Sequence, residues 1–96
     1  MKHIRFALYD VTSGTAEEVA EIARNGILPI FKSLPGYVRY EVAKLDSGGI
    51  VSFSIWESAG EAKTADDTAA SFVAENLANR ISLREDHIGD LFWDEG

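Results

Sequence analysis

The order in which hydrophobic periodicity changes along these 96 residues constrains the fold more than any single motif does. Residues 4–11, 37–45, 50–57 and 85–93 place apolar side chains at a period of two, as half-buried strands do. The stretches that follow Thr15 and Ser58 change to a period near 3.6, as amphipathic helices do. Strand, helix, strand, strand, helix, strand is the ferredoxin-like pattern. Right-handed crossovers then predict a four-stranded antiparallel sheet with strands one and three at its centre and both helices on one face.

Local chemistry supports each boundary. Thr15 is a good N-cap, and Glu17 and Glu18 place negative charge in the first turn, where the helix dipole favours it. Val19, Ala23, Gly26 and Ile30 form the expected inner stripe of that helix. Pro29 predicts a kink near Gly26, or a stop there and a restart. Ser58 with Glu61 makes a capping box for the second helix, expected to run to about Arg80. Asp46-Ser47-Gly48-Gly49 reads as a hairpin connection, and Gly89 predicts a bulge in the last strand or a close approach by other backbone. In the first strand Ile4, Phe6 and Leu8 share one face. The other face carries Ala7 and Tyr9, with Trp56 from the third strand and Tyr37 or Tyr40 from the second. It is expected to lie away from the helices, and a second copy packing on it would make a homodimer.

Composition removes several classes of function. The length suits one domain over residues 1–96. The formal net charge is −7, from 16 acidic and 9 basic residues. The basic residues stand singly, so neither nucleic acid nor an anionic membrane finds the clustered cations it needs. There is no cysteine, which excludes disulfides, thiolate nucleophiles and Cys-based metal sites. The N-terminal residues form no apolar run of signal-peptide length, and a cytoplasmic protein is expected.

The Leu34-Pro35-Gly36-Tyr37 step into the second strand, the ending Ser54-Ile55-Trp56-Glu57-Ser58 of the third, and the element order resemble the dimeric α+β barrel superfamily. Within it, the chain is most similar to antibiotic-biosynthesis-monooxygenase-like domains, over essentially its whole length. The resemblance implies cofactor-independent oxygenation of phenolic rings or oxidative haem degradation. The haem branch uses a histidine on the second helix and an asparagine on the first strand. Asp66 and Ala7 stand at those positions here, and a carboxylate is a poor replacement for the imidazole ligand. The resemblance therefore implies an oxidoreductase that needs no cofactor.

Residue by residue, the second helix is the informative element. Ala62, Ala65, Ala69, Phe72 and Val73 form its buried stripe, and Asp66 and Asn76 fall within it. Either both line a cavity and handle a substrate hydroxyl, or Asn76 bonds a nearby backbone group and Asp66 leans to the edge. On the first reading Asp66 or His87 is the candidate base and Asn76 holds a developing oxyanion. Trp56 is either a pocket wall or interface filler. Phe6, Phe53 and Phe72 either fill the core or join Trp56 against a small aromatic ligand. His3 and His87 lie on strands expected to be neighbours, yet no ligand spacing of a known type accompanies them, and no metal is expected. The alternative function is a non-catalytic ligand-binding or oligomerisation module.

Overall fold

The computed structural model describes residues 1–95. Its elements are β1 (His3–Val11), α1 (Ala16–Ser33), β2 (Tyr37–Lys44), β3 (Ile50–Trp56), α2 (Ala59–Asn76) and β4 (Ile81–Asp90). The sheet order is β2-β3-β1-β4, with every neighbouring pair antiparallel. The expected ferredoxin-like α+β architecture is present. Among the described residues no helix is long and apolar enough to cross a membrane.

Both caps form as their chemistry requires. Thr15 Oγ1 accepts from Glu18 N at 3.1 Å, and Ser58 Oγ accepts from Glu61 N at 3.3 Å. Pro29 is carried inside a continuous α1 rather than ending it. The buried stripe of α1 is Ala16, Val19, Ala23, Ile27 and Phe31, whereas Ile30 is 40% exposed. Gly26 is where α1 meets α2, because a Cβ there would collide with the Phe72 ring. The second helix ends at Asn76, four residues before the expected Arg80. The last strand accordingly starts at Ile81, not Glu85. Its irregularity lies opposite Leu8 and Tyr9, while Gly89 keeps regular register with Ile4.

The sheet faces are the reverse of the expected assignment. Ala7, Tyr9 and Trp56 lie beneath the helices, buried against Ala16, Val19, Ala23, Phe31, Ala62 and Ala65. Arg5, Ser52 and Ser54 share that face and are buried too. The open face instead carries Ile4, Phe6, Leu8, Val51 and Phe53, all half-buried. Ranking the two faces by hydrophobicity picks the wrong one, since the open face is the more apolar. The polar residues beneath the helices are tolerated because each finds a partner. Trp56, for example, donates from Nε1 to Ser54 Oγ at 2.9 Å while its ring meets Phe31 and Tyr37 edge-on.

Candidate functional site

Ala7 sits at the centre of the sheet, and its register partners are Ser52 on β3 and Asp86 on β4. Its small side chain leaves room in that row, and the guanidinium of the neighbouring Arg5 is buried there. Arg5 Nε donates to Asp66 Oδ1 at 2.8 Å, Nη1 to Ser52 Oγ at 3.2 Å and Nη2 to the Tyr9 phenol at 3.2 Å. The Tyr40 phenol neighbours Ser52 in turn, and the Asp86 carboxyl neighbours Asp66. One polar chain therefore runs from β2 through β3 and β1 to α2 and β4, under the alanine face of α2.

The electrostatics follow from burial and neighbours. Burial works against the Arg5 charge, yet Tyr9 and Asp66 more than offset it, and its pKa lies above the ordinary value. Burial pushes the Tyr40 phenol up. Asp86 is raised from its ordinary 3.8 to about 6. Desolvation at the wall of the site is the main cause, followed by the hydrogen bond to Asp66 and that carboxylate's charge. Arg5 and His87 pull the other way.

Two spaces adjoin this chain and share Arg5, Tyr9 and Val73 as walls. The inner one lies between both helices and the sheet. About 400 Å³ of space lies along its walls, open solvent included, but only about 30 Å³ admits the centre of a water molecule. That is room for about two waters, not for an aromatic ring. The outer one is an open groove between α2 and β4, lined by Ala70, Val73, Ala74 and Leu83 with Asp66 and Asp86 at its polar end. About 190 Å³ of it admits water centres, within about 470 Å³ in all. The alanines of α2 set its width.

The residues singled out from the sequence separate in space. Asp66 reaches the polar chain. Phe72 lines the inner space beside Gly26, and Trp56 is fully buried in the neighbouring core cluster, away from both spaces. Phe6 and Phe53 pair with each other on the open face, where His87 lies against Phe6 at 6.4 Å between ring centroids. They sit on the side of the sheet opposite the groove, a correction that follows from the reversed faces. Asn76 is exposed and donates to the Phe72 carbonyl oxygen one turn back at 3.0 Å, beside a separate polar depression with Ser13 and Arg80. His3 pairs with Asp90 at 3.0 Å and His87 with Glu85 at 3.1 Å, so the two histidines do not meet. Among the described residues no three His, Asp or Glu side chains gather as a metal-binding group. Sequence reasoning missed Arg5, Tyr9, Ser52 and Asp86. A strand that alternates Ile4, Phe6, Leu8 against Arg5 and Tyr9 held the signal, masked by the face assignment.

Comparison with known proteins agrees with this architecture. SnoaB, a cofactor-independent oxygenase from Streptomyces nogalater, superposes with a TM-score of 0.78 at 14% identity, covering 98% of this chain and 96% of that one. NE2512 from Nitrosomonas europaea, a protein of unknown function, gives 0.79 at 15% identity, covering 98% and 92%. Protein SO0527 from Shewanella oneidensis gives 0.68 at 11%, covering 92% and 86%. These likenesses show the fold. No curated protein matches the sequence. The model of the antibiotic biosynthesis monooxygenase family matches residues 3–71, most of the chain, and the protein belongs to that family.

Proposed function

We propose that the α2–β4 groove binds a small aromatic or phenolic metabolite and that the protein oxygenates it without a cofactor. The observation that carries this reading is a pair of neighbouring carboxyls, Asp66 and Asp86, at one end of an otherwise apolar groove. A base works best when its pKa lies near the operating pH, and Asp86 at about 6 meets that condition. Asp86 takes the ring hydroxyl's proton, and the electron pair left on oxygen enriches the ring. The ring then supplies electrons to dioxygen. One oxygen atom bonds to a ring carbon, and the other leaves as water with the two hydrogens the substrate gives up, so a phenol becomes a quinone. Family membership and the cofactor-independent oxygenase SnoaB support this reading.

The test is oxygen uptake with electron-rich phenols in metal-free buffer. Asp86→Asn is expected to lower turnover by about a hundredfold, the usual contribution of general-base catalysis. Unchanged turnover in both Asp86→Asn and Asp66→Asn would sink the proposal.

The protein is further proposed to work as a homodimer through the open sheet face. The apolar row Ile4, Phe6, Leu8, Val51 and Phe53 favours this, because a monomer leaves such a face to water. Sedimentation equilibrium measures it directly, and a monomer at micromolar concentration would refute it.

A further inference from the structure

A guanidinium carries five N–H groups. Arg5 uses one on each nitrogen, for Asp66, Ser52 and Tyr9, so each terminal nitrogen has one further N–H to offer. Its side chain is 3% exposed, and it stands where the inner space and the outer groove meet. The acceptor that matches a charged N–H donor best is an ionised oxygen. The remaining walls of the groove are Ala70, Val73, Ala74 and Leu83, which suit a flat apolar body.

We propose that Arg5 is an oxyanion subsite, so that the ligand lies along α2 with an ionised oxygen hydrogen-bonded to the guanidinium. The inference rests on the groove being the ligand site and adds the charge of what it takes. Two sources share this chemistry, an ionised ring hydroxyl and a carboxylate. A ring hydroxyl that arrives protonated loses its proton to the Asp66–Asp86 pair. The O–H bond breaks, its electron pair stays on the ring oxygen, and a new O–H bond forms on the carboxylate.

The groups facing Arg5 are compatible with an anion. Tyr9 on β1 and Ser52 on β3 each accept from a terminal nitrogen of Arg5, and Tyr40 on β2 lies near enough to feel its charge. Asp66 on α2 occupies Nε. Asp86 on β4 carries its proton up to a pH of about 6, with His87 beside it as a further positive influence when protonated. Below that pH Asp86 is neutral and adds no charge against an incoming anion. Above it the second carboxylate does.

Three probes of one shape separate the outcomes: 4-nitrophenol, 4-nitrobenzoate and the neutral ether 4-nitroanisole, titrated at pH 6 against the wild-type protein. At least one anion-forming probe is expected to bind about tenfold more tightly than the ether, the factor one charge-assisted hydrogen bond supports. If 4-nitrophenol is the tight ligand, its yellow phenolate band should be stronger bound than free at the same pH. If 4-nitrobenzoate alone is tight, the ligand's oxygen is a carboxylate. Arg5→Met should abolish the preference and leave the ether's affinity in place. Equal affinity of all three probes for the wild type, or binding of none, would overturn the inference without any variant. So would a preference that survives in folded Arg5→Met. Probe binding without oxygen uptake on any phenol would leave this subsite standing and remove the monooxygenase reading.

Discussion

Arg5 Nε lies 2.8 Å from Asp66 Oδ1, and this ion pair ties the central strand β1 to a helix whose buried residues are Ala62, Ala65 and Ala69. Such small side chains bury little area, so the pair should hold α2 on the sheet more than any single apolar contact does. Asp66→Ala leaves a buried cation without its carboxylate and is expected to destabilise the fold by about 3 kcal/mol. The double variant Arg5→Met/Asp66→Leu removes both charges and should be more stable than Asp66→Ala. Urea unfolding of the two variants beside the wild type measures this. A double variant no more stable than Asp66→Ala would show that the pair does not anchor the helix.

Asp86 gives stability a pH dependence of definite sign. Its folded-state value of about 6 lies above its ordinary 3.8, so the folded chain binds the extra proton between those two values. The resulting stabilisation is complete below pH 3.8 and lost as the pH rises through about 6. Asp86→Asn should therefore match the wild type near pH 4 and exceed it at pH 8. Melting temperatures across that range decide the matter, and a variant less stable than wild type at pH 8 would contradict it.

Gly26 and Phe72 set the distance between the helices. Alanine is the better helix former by about 1 kcal/mol. At this position, however, a methyl group meets the Phe72 ring, and overpacking costs about 1–3 kcal/mol. Gly26→Ala should lower the melting temperature. Adding Phe72→Leu should recover much of the loss by removing the collision, a coupling between neighbours that a double-mutant cycle would read.

Phe53 lies on the open face, paired with Phe6 across β3 and β1. Phe53→Glu would place a carboxylate in the proposed interface, where burying an unpaired charge is expensive. Sedimentation velocity should show the dimer lost, with the circular dichroism of the monomer kept. A dimer that persists would move the interface to another surface.

The family resemblance and the helix caps were legible because they depend on neighbours in sequence. Thr15 and Ser58 cap the residues three places on, and Leu34-Pro35-Gly36 turns the chain where Gly36 takes a φ of +80°. Asp66 was also legible, as a carboxylate inside an alanine stripe. Asn76 shows the limit of that reasoning. The helical wheel put it in the buried stripe, but α2 ends there, the side chain is exposed, and its amide turns back to Phe72.

Hydrophobic period, caps and turns, all local, determined that this chain makes four strands and two helices in a ferredoxin-like order. Which face of the sheet the helices cover was a tertiary decision. A period of two sorts side chains into two sets but does not say which set faces inward. Here the inward set includes Arg5, Ser52 and Ser54, whose burial depends on partners distant in sequence. Arg5 and Asp66 are 61 residues apart, and Asp86 joins them only because β4 lies beside β1. No spacing rule links residues on three separate elements, so the groove and its polar end exist only once the chain has folded.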